Sequence, residues 1–379
     1  MPTALIGTGF IGPVHLEALR RLGRPVAGIL GSSPDKSRAA AASLRLRRGY
    51  ASFQEILEDA SVDTIHITSP NRHHFDQAAQ ALEAGKHVVV EKPLAMDPIE
   101  SAELVRLSQV HPSRIAAVCY NCRFYPLCME IRERILSGEL GEIYHVSGAY
   151  VQDWLLFDTD FNWRVLAEEG GELRAVADIG THWLDLVQHV TGLDVTEVCA
   201  DLKTMLPVRR RPQGSVETFQ SKLGAPPQTE PVAIRTEDYG SILLGLADVA
   251  RGVCPVSQVT AGRKNCLRFE IAGSKGALAF DSERPNELWL GRRDRANELL
   301  VRDPALLHPS VRPFANYPGG HNEGFPDTFK QLFRAIYQAI DGAQTAPRSF
   351  PTFADGHREI VLCDAILRSR ETRGWAQTG

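Results

Sequence analysis

The sequence predicts an α/β fold in two parts: a doubly wound parallel sheet over residues 1–123, then an α+β part over residues 124–379 on a large, open, mainly antiparallel sheet. The opening residues read as strand, tight glycine turn and helix. Short apolar runs then alternate with segments of helical periodicity as far as residue 121, which is the pattern of a parallel sheet flanked by helices. Past Pro126 the pattern changes to long strand-like runs separated by glycines, with few helices.

Ala4 to Ile6 makes the first strand, and Gly7-x-Gly9-x-x-Gly12 follows it directly. Ile11, Val14, Leu19 and Leu22 then suit one face of a helix, with Pro13 read as its first position, where proline loses no hydrogen bond. Val26 to Leu30 is the second strand. Ser52 is placed to cap a helix over 52–60, and 62–70 is a buried strand ending in a turn. In the next helix Phe75, Ala78, Ala79 and Leu82 fall at helical spacing before the Gly85 stop, and His87 to Val90 is again strand. Asp97 and Pro98 open a helix that runs to Gln109, and 114–121 is the last strand of this part.

In the second part a helix carries Leu127, Ile131 and Ile135 on one face and leads into a long strand over 142–154. Further strands are expected in "EVCADLKTM", "YGSILLGLADV", "VCPVSQVTAG", "CLRFEIAG", "GALAFD" and "ELWLG". The polar stretch between Pro207 and Pro231 reads as a long loop, with Arg209, Arg210 and Arg211 as solvated residues of it. Two helices close the chain: one carries Phe325, Phe329, Leu332, Phe333, Ile336 and Ile340 on one side, and the other covers Phe353 to Ser369.

With 379 residues, 43% of them hydrophobic and 23% charged, the chain belongs to the globular class and exceeds one ordinary core. A formal charge of −4 gives no basic footprint, which argues against nucleic acid. Neither a membrane span nor a signal peptide is expected, and the seven cysteines, odd in number and scattered, suit a reducing cytoplasm. Cys119, Cys122 and Cys128 are read as buried thiols at a strand end and not as a metal or redox site, because a structural zinc wants four ligands and no second pair lies nearby.

The glycine ladder points to a dinucleotide. Gly7 permits the turn, Gly9 lets the backbone approach a pyrophosphate, and Gly12 lets the helix lie close to the strand, with the phosphates at the helix's positive end. The ligand then sits at the carboxyl ends of the strands. Past the second strand, where an acid would bond the 2′-hydroxyl of NAD, stand Gly31, Ser32 and Ser33, with Lys36 and Arg38 close behind. Hydroxyls and cations suit a 2′-phosphate, so the cofactor leans to NADP over NAD.

Glu91-Lys92-Pro93 ends a buried strand at that same edge, and Pro93 holds Lys92 extended, so its ammonium projects from a fixed point where it can stabilise a developing alkoxide. In "ADIGTHWLD" Asp178 and His182 are four apart and share a face if the segment is helical. His182 can then take a hydroxyl proton while Asp178 orients the imidazole or the substrate. Asp185 is placed to hold the other ring nitrogen, and His189 is read as structural.

Taken together and in order, "GTGFIG", "TSPNRHH", "GKHVVVEKPLA", "NCRFYP" and "DIGTHWLDL" resemble the Gfo/Idh/MocA family, which includes glucose-fructose oxidoreductase and inositol dehydrogenase, over essentially the whole chain. The resemblance implies a Rossmann domain followed by an open-sheet domain whose sheet face often mediates oligomers, hence a homodimer or homotetramer. It makes Lys92 the catalytic lysine, His182 the proton acceptor and Asp178 its companion. Cofactor contacts carry over to Gly7, Thr8, Gly9, Phe10, Ile11, Ser32, Ser33, Arg38, Thr68, Ser69, Pro70, Asn71, His74, Glu91, Lys92 and Asn121, and Trp163 and Arg164 match a position at the nicotinamide end. The chain departs from the family's NAD-using pattern where the acid after the second strand is missing. It also has Ser69-Pro70-Asn71 where relatives have Thr-Pro-Asn, which keeps the hydroxyl.

For the substrate, residues 149–164 set Tyr150, Trp154 and Trp163 among Gln152, Asp153, Asp158, Asp160 and Asn162. Flat aromatic faces beside hydrogen-bonding groups suit a ring with CH faces and a hydroxyl rim. Lys92, Arg123, Tyr150, Gln152, Trp154, Asp178 and His182 are the candidate substrate contacts, and without a tight anion-binding cluster the expected substrate is an unphosphorylated sugar, anhydrosugar or cyclitol. His321 or Asn322 is placed to close the pocket. The rival readings are an NAD(P)-binding regulatory sensor of the same fold and a glycoside-cleaving enzyme that uses NAD transiently. Retention of Lys92, Asp178 and His182 argues against the sensor.

Overall fold

In the computed structural model, residues 2–213, 228–342 and 349–379 are described. Strands β1 (Thr3–Ile6), β2 (Val26–Leu30), β3 (Thr64–Ile67), β4 (His87–Val90) and β5 (Ala116–Val118) form one five-stranded parallel sheet in the order β2-β1-β3-β4-β5. β1, β3, β4 and β5 are buried along their whole length, as the continuous apolar runs require. Between them lie α1 (Ile11–Arg21), α2 (Pro34–Ser43), α3 (Phe53–Glu58), α4 (His74–Glu83) and α5 (Pro98–Val110). Ser52 caps α3 by accepting from Glu55 N, and Asp97 caps α5 by accepting from Ile99 N and Glu100 N. Pro13 occupies the third helical position of α1, not the first; it still falls among the first four residues, whose N–H groups have no partner in the helix.

The second sheet has nine strands. β6 (Ile143–Val151), β7 (Val195–Lys203), β10 (Tyr239–Leu246), β11 (Ala250–Ser257), β12 (Cys266–Gly273), β13 (Ala277–Asp281), β14 (Glu287–Gly291), β15 (Glu298–Val301) and β16 (Ala376–Gln377) run in the order β15-β14-β13-β12-β6-β11-β10-β7-β16. Every pairing is antiparallel except β6 with β11. Helices α6 (Pro126–Leu136) and α8 (Thr181–Thr191) share one core with this sheet, and a short helix α7 (Ala167–Gly170) precedes α8.

Between Pro207 and Pro231 the expected loop is in part a hairpin. β8 (Val208–Pro212) pairs with β9 (Thr229–Ala233), while residues 214–227 of that stretch lie outside the described residues. Arg209 is fully buried: its guanidinium donates to the carbonyls of Leu155, Phe157 and Asp160 and to Asp238 Oδ1 at 2.7–2.9 Å. It therefore stitches the segment after β6 to the sheet. A solvated role holds only for Arg210 and Arg211, which pair with Asp158 and Glu230 at the surface.

The last two helices return to the first sheet. α9 (Phe325–Ile340) packs its apolar face against α1, in a core that joins Leu5, Leu16 and Leu19 to Phe329, Leu332 and Phe333. α10 (Phe353–Thr372) bridges α5 and β7.

Candidate active site

Register sets up the first half of the site. Leu30, Ile6, Ile67, Val90 and Val118 are aligned across the five strands, so the residues just beyond them emerge along one sheet edge. That edge floors a cleft of about 700 Å³, within the roughly 300–1,000 Å³ usual for ligand pockets. Its lining includes Gly7, Thr8, Gly9, Phe10, Ile11, Gly31, Ser32, Thr68, Ser69, Pro70, Glu91, Lys92 and Asn121 from the first sheet's side, and Tyr150, Gln152, Trp154, Trp163, Arg164, Asp178 and His182 from the second.

The fingerprint glycines serve three separate purposes. Gly7 has φ +106°, and a Cβ there would collide with Thr68. A Cβ on Gly12 would collide with the Gly7 carbonyl, so the helix could not lie so close to its strand. A Cβ on Gly9 would meet nothing within 4 Å and would extend into open space at the cleft. This is the arrangement that admits a pyrophosphate against bare backbone at the start of α1, so the residues present fit a dinucleotide.

The chemistry-bearing groups converge from the two sheets. Lys92 Nζ donates to the Asp178 carbonyl at 2.5 Å and to Asp178 Oδ1 at 3.0 Å. An ammonium has three protons, so one remains for a further acceptor. Asp178 Oδ1 also accepts from Arg164 Nε at 3.2 Å, and Oδ2 accepts from Gln258 Nε2 at 2.7 Å. Arg164 lies over the Trp163 ring, 4.3 Å from its centroid. Burial pushes the Asp178 carboxyl up, but Lys92 and Arg164 outweigh it and hold it well below its ordinary value. His182 moves the other way: burial first, then the charge of Lys92, brings its imidazole down to about 3. It is therefore a neutral imidazole at physiological pH.

Asp178 and His182 do share one side of a helical segment, but the turn carrying Asp178, Val176–Gly180, is a wide π turn that precedes α8. Glu237 holds the start of this turn by accepting from Arg174 N and Val176 N at 2.9–3.0 Å, while Arg174 reaches Asp238. Asp185 does not hold the other ring nitrogen of His182. It is one of two carboxylates that grip Arg123, the other being Asp355, and His182 Nδ1 is buried with no partner among the described residues.

Several other expected contacts are spent elsewhere in the structure. Arg123 is 5% exposed and locked in that ion-pair cluster, away from the cleft lining. Ser33 caps α2 by accepting from Lys36 N, and Arg38 pairs with Asp35 at the surface. Asn71 donates to the Gly170 carbonyl, and both ring nitrogens of His74 meet carbonyls, of Pro93 and Ser69. Neither His321 nor Asn322 lines the cleft; Phe325 and Phe329 do. Cys119, Cys122 and Cys128 are free buried thiols, and burial pushes Cys122 up to about 12.

Sequence reasoning missed Gln258, Lys264 and Asn265. Gln258 is fully buried beneath Asp178. Asn265 Oδ1 accepts from Tyr150 OH and Gln152 Nε2, both at 2.7 Å, and so fixes two candidate substrate contacts to one amide. These are isolated residues at strand ends with no spacing motif to mark them.

Comparison with known proteins follows this geometry. Residues 1–118 match the model of an oxidoreductase family with an NAD-binding Rossmann fold, and residues 128–279 match the GFO/IDH/MocA C-terminal domain. Levoglucosan dehydrogenase of Pseudarthrobacter phenanthrenivorans is 28% identical over 98% of this chain and 96% of its own length. A solved levoglucosan dehydrogenase in complex with NADH and L-sorbose superposes with a TM-score of 0.88 at 26% identity, covering 100% of this chain and 99% of that one. An oxidoreductase domain protein from Kribbella flavida gives the same TM-score at 28% identity and the same coverage. Both parts of the chain thus match their counterparts in sequence and in fold, and the chain belongs to the Gfo/Idh/MocA oxidoreductase family.

Proposed function

We propose that this protein is an NAD(P)-dependent dehydrogenase that moves a hydride between nicotinamide and a secondary carbinol of an unphosphorylated sugar, anhydrosugar or cyclitol. The observation that carries the reading is the convergence of Lys92, just past β4, with Asp178 of the π turn and His182 of the α8 start, in a cleft that begins at the glycine turn. A dinucleotide would be held by the backbone of Gly7 to Ile11 and by Ser32, Thr68 and Asn121, and its nicotinamide would supply the hydride acceptor.

The chain's own groups divide the remaining work. His182, neutral at working pH, takes the hydroxyl proton. Lys92 turns its free proton to the oxygen as negative charge develops there. Asp178 holds Lys92 in place while Arg164 offsets the charge of Asp178. Tyr150, Gln152 and Trp154 would seat the ring. The other cations of the lining are already committed, Arg72 to Glu169 and Lys264 to Asp153, which supports a neutral substrate over a phosphorylated one.

At the adenosine end Ser32 lines the cleft and, among the described residues, no carboxylate does, which supports the preference for NADP over NAD. The second sheet supports a homodimer or homotetramer: Leu243, Val253, Ser147, Glu270, Ala279, Trp289 and Leu299 align in one row, with Leu243 and Leu299 exposed. A cytoplasmic setting suits seven cysteines that are all free.

The test is a screen of free sugars, anhydrosugars and inositols against NAD and NADP separately, read as absorbance of the reduced cofactor. Reduction with a free polyol is the expected result. Cleavage of an aryl glycoside with no net reduction would replace this reading with the glycosidase one.

A further inference from the structure

Behind Glu91 the cleft continues as a buried polar chain that the proposed reaction leaves unused. Glu91 Oε1 lies 3.0 Å from His15 Nε2, His15 Nδ1 lies 3.0 Å from His66 Nδ1, and His66 Nε2 lies 3.1 Å from Tyr337 OH, which in turn meets Thr3 Oγ1. These groups come from α1, β3, α9 and β1, and none is more than 7% exposed.

The hydrogen-bond inventory allows one arrangement of protons when Glu91 is ionised and both rings are neutral. A carboxylate only accepts, so His15 Nε2 carries a proton and donates. His15 Nδ1 must then accept, which puts a proton on His66 Nδ1 and leaves His66 Nε2 to accept from the Tyr337 hydroxyl. Every ring nitrogen is satisfied, and turning either ring would break two bonds. Phe333 packs edge-on against both imidazoles, 4.7 Å between centroids, which leaves the rings little freedom to turn.

We infer that His15 is a positioning residue: anchored through His66 on Tyr337, it holds the Glu91 carboxylate ionised and fixed beside Lys92 and His182. Glu91 lines the cleft, and its Oε2 accepts from Lys92 N at 3.2 Å, so its placement bears directly on the groups assigned to catalysis. Burial pushes Glu91 up, and the hydrogen bond from His15 leads the effects that outweigh it, leaving the carboxyl below its ordinary value. The titratable groups facing the pair are Cys119, whose Sγ lies 4.0 Å from His15 Nε2, together with Lys92, His182 and His66. The donors of His15, Glu91 and Cys119 lie within 4.8 Å of one another, but a structural metal wants four, and both His15 nitrogens are engaged.

This inference rests on the proposed dehydrogenase reading, and its experiment separates the two. In His15→Leu, kcat should fall about 10- to 100-fold, by analogy with the loss when a partner that orients a metal ligand is removed. His15→Gln, whose amide can donate to Glu91, should recover most of the loss, and Tyr337→Phe should lose a few-fold while keeping the ring. Combining His15→Leu with Glu91→Gln should cost no more than Glu91→Gln alone, because both remove one interaction. Independent of substrate, carbon-13 NMR of the Glu91 carboxyl in intact protein should show its titration move upward in His15→Leu or, if that variant misfolds, in Tyr337→Phe. An unmoved carboxyl titration, or additive losses in the double variant, would overturn the positioning role. Absence of polyol oxidation by the unmodified chain would instead overturn the proposed reaction, and the carboxyl titration would still decide the role of His15.

Discussion

Lys92 reaches out of the first sheet and is gripped twice by one residue of the second part: its ammonium donates to both the carbonyl and the carboxylate of Asp178, at 2.5 and 3.0 Å. The site exists only where the two parts meet, and Lys92 is 11% exposed at its side chain. On the proposed mechanism, Lys92→Ala removes a donor that meets the developing alkoxide. Turnover should fall by roughly 10²–10³ or more, the cost of losing such a donor, while cofactor affinity stays within a few-fold. Stopped-flow kinetics beside a cofactor-binding titration checks both halves, and ordinary turnover in this variant would remove Lys92 from the mechanism.

The depressed imidazole of His182 has a pH signature. Burial, then the charge of Lys92, holds it at about 3 against an ordinary 6.5, so it stays neutral across the physiological range. The kcat/KM profile should show no acid limb near pH 6.5. Lys92→Met removes the repelling charge, so the His182 ring should titrate higher in that variant, as read by its NMR chemical shift. Stability follows the same sign: between pH 6.5 and about 3 the unfolded imidazole binds a proton that the folded one refuses, so His182 costs stability as pH falls through that window. A midpoint near 6.5 in the unmodified enzyme would contradict a buried neutral base.

Much of this was legible because the first sheet obeys local rules. Buried parallel strands must be continuous apolar runs, Asp97 and Ser52 announce helix starts, and the glycine ladder follows from the close approach of α1 to β1. The spacing of Asp178 and His182 was readable too. What escaped depends on partners far along the chain. Arg209 looks solvated until Asp238 and three carbonyls surround it, and Arg123 looks like a ligand contact until Asp185 and Asp355 claim it. The apolar face of α9 was evident in the sequence, but nothing local shows that it packs on α1 and delivers Tyr337 to His66. Gln258 and Asn265 carry no periodic signal at all.

Arg123 separates a structural role from a ligand role. Its guanidinium lies between Asp185 and Asp355, and Arg123→Leu would leave the buried Asp185 without its cation, while the half-buried Asp355 keeps Arg358. Removing one partner of a buried ion pair costs about 3–5 kcal/mol. Urea unfolding should show a loss of that order, while the folded fraction keeps its KM for polyol because Arg123 does not line the cleft. A selective rise in KM at unchanged stability would return Arg123 to the substrate.

Cofactor choice should respond to one side chain. Ser32 is exposed in the cleft next to Gly31, where a carboxylate would accept from a ribose 2′-hydroxyl and repel a 2′-phosphate. In Ser32→Asp the ratio of kcat/KM for NADP to that for NAD should fall about tenfold or more, mostly through weaker NADP binding. Parallel steady-state assays with the two cofactors measure it. An unchanged ratio would mean that the 2′ position lies away from Ser32.

Two neighbouring glycines should fail in opposite ways. A Cβ at Gly9 extends into open cleft and meets nothing within 4 Å, whereas one at Gly12 runs into the Gly7 carbonyl. Gly9→Ala should therefore leave the melting temperature nearly unchanged and weaken cofactor binding by about tenfold or more, because the added methyl occupies the ground that the pyrophosphate needs. Gly12→Ala should force α1 away from β1 and lower the melting temperature by several degrees, with binding lost as a consequence. Differential scanning fluorimetry with and without NAD separates the outcomes: Gly9→Ala keeps the apo transition and loses the ligand-induced rise, while Gly12→Ala shifts the apo transition itself. If Gly9→Ala bound NAD as well as the unmodified chain, the phosphates would not lie over the glycine turn, and the cleft would have to hold its ligand in some other pose.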